Sequence, residues 1–402
     1  MFKYIRANCA LPLLMSLGLI ICSELSFGQN KIPADIQTGA QQMQAYLPLL
    51  ENKKVALVIN QTSIVGNTLL LDTLLQAGIN VVKIFVPEHG FRGTADAGAH
   101  INNETDAKTG LPVVSLYGNN KKPSKAQLNN VDIILYDLQD VGVRFYTYIS
   151  TLQYMMDACI ENKKQLIVLD RPNPNGHIID GPVLDTTLRS FVGMQPIPVL
   201  YGMTAGEYAT LLKGEKWIRN ANQLDLKIIA CKHYSHSSRY TLPVAPSPNL
   251  KTMTAVYLYP GLCFFEGTNI SVGRGTDKPF QQWGNPDFAG KSKYFFIPKS
   301  VGGASKPLYE NQKCFGAIEA TNAHEAWEMT RSGININALL KAYIWSTQKD
   351  KFFNSFFEKL AGTKELREQI IAGKSEKEIR DSWVPGLQQF KKTRAKYLLY
   401  ED

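Results

Sequence analysis

The sequence predicts an α/β protein: a Rossmann-like, doubly wound parallel sheet domain with a second, auxiliary α+β lobe. Three observations carry that reading. Short β-branched runs alternate with helical stretches from residue 53 to about residue 200, the apolar runs are continuous, and four of them end in polar clusters. Continuous apolar strands separated by helices belong to parallel sheets covered on both faces. Their alternation with helices points to a doubly wound domain.

The first run, KVALVI at 54–59, precedes a leucine-rich helix over about 69–76 that Gly78 closes. VVKIFV at 81–86, VDIILY at 131–136, QLIVL at 165–169 and IPVLY at 197–201 read as further strands, with a helix over about 148–162. Thr204 and Glu207 form a capping box opening the next helix, so Glu207 reads as structural. From about Leu224 the composition shifts to a strand-like DLKIIAC, a proline-rich LPVAPSPNL and a helical tail from about Asn322. The last segment places Leu387, Phe390, Tyr397 and Leu398 on a basic amphipathic helix expected to dock on the body. The expected division is 1–28 as a signal peptide, 29–223 as a Rossmann-like domain and 224–402 as an auxiliary lobe covering the cleft.

The N-terminus sets the expected compartment. Lys3 and Arg6 precede an apolar run over 10–22, and Ser26 and Gly28 supply small residues ahead of Gln29. That is a cleavable secretory signal, giving a periplasmic or secreted protein. Ile21 before Cys22 disfavours a lipoprotein anchor, and the run falls short of the roughly 20 residues of a membrane span. No integral membrane segment is expected after removal of the signal. Of six cysteines, Cys159, Cys231, Cys263 and Cys314 would remain, without a Cys-x-x-Cys pair, leaving free thiols and a disulfide both open.

The formal charge of +9 becomes +8 when the signal takes away Lys3, Arg6 and Glu24. The positives are scattered, so nucleic acid is not the expected partner; an anionic cell-wall polymer or membrane surface suits an exported basic chain better. No histidine spacing fits a zinc site, and none is expected. The Gly-x-Gly near Arg274 lacks the third glycine, preceding strand and following helix of a dinucleotide fingerprint. No cofactor is expected.

In an open parallel sheet the carboxyl ends of the strands share one edge, where ligands bind. Four polar clusters should therefore converge: Asn60 with Gln61 and Thr62, Glu88 with His89, Asp137 with Gln139 and Asp140, and Asp170 with Arg171 and Asn173. The sharpest is PEHGFRG at 87–93, where Glu88, His89 and Arg92 crowd a glycine-flanked turn. Glu88 beside an apolar strand suits a general acid, with an ion pair to Arg92 as the plainer alternative. In DLQDVGVRFYTY, Asp137 or Asp140 suits a sugar hydroxyl or a second carboxylate, Arg144 an anionic group, and Tyr146 and Tyr148 a sugar-facing wall; helix capping and burial are the alternative. FEGTNISVGRGT sets Glu266, Asn269 and Arg274 among glycines.

Taken together, PEHGFRG, TGLPVVSLYG, DLQDVGVRFYTYISTLQY, LDRPNPNG, SFVGMQPIP, YGMTAGE, PSPNL and LYPGLCFFEGTNISVGRGTDKPF resemble the exo-β-N-acetylmuramidase family over nearly the whole chain beyond residue 28. Tyr201 stands where many members carry histidine. The resemblance implies a glycoside hydrolase that removes terminal N-acetylmuramic acid from the non-reducing end of peptidoglycan fragments, without a cofactor, in a cleft between a Rossmann-like domain and an auxiliary lobe. It also implies that the glutamate of the PEHG motif, Glu88, is catalytic, with His89 beside it. Glycoside hydrolysis usually uses two carboxyl groups; Glu266 or Asp140 would partner Glu88, and participation of the substrate's own N-acetyl group stays open. Muramic acid carries a lactyl carboxylate, for which Arg92, Arg144, Arg171 and Arg274 are the candidates. Partners would be muropeptides or glycan chain ends. A non-catalytic muropeptide-binding protein and a cell-wall esterase or amidase are the competing readings.

Overall fold

The computed structural model describes residues 35–88, 90–91 and 104–402. The expected signal peptide, Cys22, His89 and Arg92 lie outside the described residues.

Seven strands build the central sheet: β1 (Val55–Ile59), β2 (Val81–Val86), β3 (Glu104–Thr105), β4 (Pro112–Ser115), β5 (Ile133–Asp137), β6 (Gln165–Leu169) and β7 (Leu226–Ile229). Their order is β7-β6-β5-β1-β2-β4-β3, parallel throughout except for the β3 edge. The chain builds outward from β1 through β2 to β4, then returns to the other side of β1 for β5, β6 and β7. Apart from β3 this is the doubly wound order, with its switch point between β1 and β5.

Both faces of the sheet are covered because its central strands β1, β5 and β6 are buried on both sides. Val55, Leu57 and Ile59 join Tyr46 and Leu50 of α1 (Met43–Leu50) and Leu70, Leu71 and Leu74 of α2 (Leu70–Gln76) in one core. Ala56 and Val58 point the other way, into a larger core with Leu152 and Met155 of α3 (Tyr148–Asn162) and Leu211 and Leu212 of α4 (Ala205–Gly214). The Thr204–Glu207 capping box is present at the start of α4.

Two strand assignments change. IPVLY does not enter the central sheet: only Leu200–Tyr201 is a strand, paired antiparallel with Ile179–Asp180. Pro198 has no N–H for an interior ladder, which confines such a segment to edges and turns. The outer parallel strand is instead β7, from the stretch the sequence placed in the second lobe, and it pairs with β6 from Leu226↔Leu166 to Ile229↔Leu169. Strand β4, four residues opened by a proline, was not expected either.

The second lobe is α+β. A three-stranded antiparallel sheet, β8 (Gln282–Asn285), β9 (Phe295–Phe296) and β10 (Cys314–Ile318), carries β10 at its centre. It lies with α5 (Met253–Leu262) and helices between residues 323 and 371, and its Phe264, Phe265 and Trp283 join the larger core. The final helix, α6, spans Glu376–Arg394, so Tyr397 and Leu398 lie beyond it rather than on it. Tyr397 docks through its hydroxyl, which donates to Glu215 at 2.7 Å. Cys159, Cys231, Cys263 and Cys314 are buried free thiols. No helix of the described residues is long and apolar enough to cross a membrane.

Candidate active site

The four strand-end clusters do converge on one edge, but most of their polar groups bond to one another instead of facing solvent. Asn60 Nδ2 donates to the Tyr148 hydroxyl at 2.7 Å, and Asn60 Oδ1 accepts from the Thr62 hydroxyl at 2.6 Å. The Gln139 backbone N–H reaches Thr62 Oγ1 at 3.2 Å, while the Gln139 side chain donates to the Asp140 and Pro172 carbonyls at 2.8 Å each. Arg171 clasps Asp137 with two bonds of 2.5 and 2.8 Å, both side chains being almost wholly buried. Asn173 donates to the Met203 carbonyl and accepts from the Asn175 N–H.

Asp170 is equally committed: its carboxylate accepts from Thr204, Tyr400 and the Gly206 and Arg171 backbone N–H groups. A side chain on Gly206 would strike that carboxylate, so the helix can come this close only with glycine there. Asp140 accepts from the Tyr201 hydroxyl and the Gly142 N–H. Gly142 holds φ +75°, and a Cβ there would collide with the Asn173 amide. Burial pushes the carboxyls of both Asp140 and Asp170 up to about 6, against the pull of their hydrogen bonds.

Arg144 is the plainest correction. It is 1% exposed, and its guanidinium donates to the carbonyls of Pro182, Ile197, Leu360 and Ala361 at 2.7–2.8 Å. Two of the bonds stay with the sheet domain and two reach the segment at 360–361, so Arg144 is a structural cross-brace. Asp137, Gln139, Asp140, Asp170, Arg171 and Asn173 are likewise held in the scaffold and do not line the cleft.

What opens beside this scaffold is a cleft of about 760 Å³, reached by Glu88 from the end of β2 and by Glu266 and Arg274 from the second lobe. Glu88 Oε2 accepts from the Thr147 hydroxyl at 3.1 Å. Thr147 belongs to the turn that opens α3, where Tyr146 and Tyr148 also line the cleft. Both tyrosine hydroxyls donate to the Pro246 carbonyl, at 2.8 and 3.2 Å, and the rings pack edge to face at 4.7 Å. Burial pushes both phenols above their ordinary range, so they serve as neutral donors.

Opposite them, Arg274 Nε donates to Glu266 Oε1 at 2.6 Å, with each side chain 24% exposed. The Arg274 guanidinium lies 5.0 Å from the Phe280 ring centre, and the Cys263 thiol approaches Glu266 Oε2 at 3.4 Å. Asn269 does not line the cleft; its carbonyl is held by Asn285 and Tyr309. The sequence reading missed Tyr117, Lys121, Phe191, Tyr259 and Phe280 of the lining. Isolated aromatics and lysines in loops carry no spacing signal, although Tyr117, Phe191, Tyr259 and Phe280 fall within motifs quoted for the resemblance.

Family models described as the N-terminal and C-terminal parts of exo-β-N-acetylmuramidase NamZ match residues 55–254 and 257–400. The chain belongs to the NamZ family. The peptidoglycan β-N-acetylmuramidase NamZ of Bacillus subtilis (strain 168) is 37% identical to it over 96% of this chain and 97% of that protein. Among solved structures, a DUF1343 family protein of Bacteroides fragilis NCTC 9343 superposes with a TM-score of 0.84 at 46% identity, covering 92% of this chain and all of that one. A second DUF1343 family protein of the same organism gives a TM-score of 0.74 at 28% identity, over 91% and 99% of the two chains. The family's N-terminal part contains Glu88, and its C-terminal part contains Glu266 and Arg274.

Proposed function

We propose that this protein is an exo-acting glycoside hydrolase that releases terminal N-acetylmuramic acid from the non-reducing end of peptidoglycan fragments. The observation that carries the reading is that Glu88 and Glu266, far apart in sequence and on different lobes, line one cleft large enough for sugar units. Membership of the NamZ family supports it.

In this reading Glu88 is the general acid, protonating the glycosidic oxygen as the bond to the anomeric carbon breaks, and water forms the new bond to that carbon while its released proton returns to a carboxylate of the site. Thr147 orients its carboxyl group. Glu266, hydrogen-bonded by Arg274, is the second carboxylate and supports the positive charge developing on the sugar ring. Tyr146, Tyr148, Tyr259 and Phe280 provide flat apolar surface for the ring. The substrate is a muropeptide or glycan chain end, and the lysine, arginine and apolar run at the N-terminus support an exported, periplasmic or secreted enzyme that meets this polymer.

The decisive experiment incubates the protein with a disaccharide bearing N-acetylmuramic acid at its non-reducing end and identifies the products by mass spectrometry. Free N-acetylmuramic acid is the expected product. Glu88→Gln is expected to lower its release by about 10²–10⁴-fold while the protein stays folded. Full activity in that variant would remove Glu88 from the mechanism, and no release by the unaltered chain would leave a muropeptide-binding protein.

A further inference from the structure

We propose that Lys121 recognises the free carboxylate of the sugar bound in the cleft and so discriminates acidic from neutral substrates. This rests on the glycosidase reading and assigns that site a specificity residue. Among the described residues, the arginines expected for the task are otherwise engaged: Arg144 and Arg171 are buried among carbonyls and Asp137, and Arg274 is matched by Glu266 at 2.6 Å, while Arg92 lies outside the described residues. Lys121 lines the same cleft and forms no ion pair among the described residues.

Its position is built. Lys121 is half-buried, with Nζ 4.7 Å from the centre of the Phe191 ring. Phe191 is in turn packed by Tyr117 at 6.2 Å and stacked by Tyr154 at 6.1 Å. A cation held over an aromatic face keeps its ammonium donors while losing conformational freedom, which lowers the cost of binding an anion. Lys121 also lies on the correct side. It follows β4, which runs parallel to β2, with Val86 paired to Ser115 and the Leu116 N–H bonded to the Val86 carbonyl at 2.8 Å. Glu88 and Lys121 therefore leave the same sheet edge from neighbouring strands, as one group acting on the glycosidic bond and another reading a substituent of that sugar should. Lys306, the other lysine of the lining, is exposed.

The test compares an N-acetylmuramic acid glycoside with its lactyl amide, which keeps the shape and loses the charge. The unaltered protein is expected to favour the acid by about 10- to 100-fold in kcat/KM, the range of a hydrogen bond to a charged group. Lys121→Met should bring that ratio close to one, Lys121→Arg should restore part of it, and Lys306→Met should leave it in place. Arg274→Met should slow both substrates and keep their ratio. An unchanged ratio in Lys121→Met, no preference in the unaltered protein, or loss of the ratio in Arg274→Met instead would overturn the assignment. If the unaltered protein hydrolyses neither glycoside, the glycosidase reading fails; calorimetric binding of N-acetylmuramic acid and its amide to both proteins then reads Lys121 directly. Equal affinity of the unaltered protein for the two compounds, or an undiminished preference in Lys121→Met, would also overturn it.

Discussion

Of the carboxylate–arginine pairs among the described residues, Asp137–Arg171 and Glu266–Arg274 have nearly identical local chemistry and opposite meaning. Asp137–Arg171 closes at 2.5 Å with 0% and 3% of the side chains exposed, and Arg171 spends a further donor on the Ile64 carbonyl. Glu266–Arg274 closes at 2.6 Å with 24% of each exposed, on the wall of a cleft. The first pair has no face left for a ligand, and its role is to hold β5 and β6 in register where the polar edge is densest. The second keeps a solvent-facing side. Saturation by partners, rather than residue type or position at a strand end, separates scaffold from site.

That contrast can be broken from either side. Removing one member of the buried pair, as in Asp137→Ala, leaves the Arg171 charge uncompensated in the interior and is expected to cost about 3–5 kcal/mol in urea unfolding. Asp140 tests the scaffold through pH. Burial raises its native carboxyl to about 6, well above an unfolded aspartate, so the folded state holds the proton longer. Stability from this group is greatest below about pH 4 and falls as pH rises to about 6, by roughly 3 kcal/mol at most. Asp170 adds a slope of the same sign, so Asp140→Asn should reduce the loss of urea midpoint between pH 4 and 7 without abolishing it. On the other side of the comparison, Glu266→Gln should lower sugar release by about 100-fold, equivalent to about 2.7 kcal/mol of barrier. The same variant should change unfolding stability by under about 1 kcal/mol, because a part-exposed pair contributes little to folding. A large stability loss in Glu266→Gln, or none in Asp137→Ala, would erase the distinction.

Much of the fold was legible because β1, β2, β5 and β6 are mostly apolar runs of five or six residues ended by polar turns. Helix α3 was legible to its ends, since its pattern runs unbroken from Tyr148 to Asn162. The β4 strand escaped because four residues behind a proline give too short a signal, and β7 was misplaced because pairing partners are not encoded in a strand's own composition. In the site, Glu88, Glu266 and Arg274 could be named from motifs. The error concerned Arg144 and the aspartates: spacing reveals that a charged group sits at a strand end, whereas its neighbours across the fold decide whether anything remains for a ligand. Four carbonyls from distant segments, two of them more than 200 residues away, took Arg144 out of the cleft.

The hydroxyl of Tyr400 closes the bond network of Asp170 from 230 positions downstream. The edge of the sheet is therefore complete only when the segment beyond α6 has docked, and without that contact Asp170 lacks one of its donors. Folding of this edge thus hinges on closing a loop of very long sequence separation, an entropic cost that the rest of the interior has to meet.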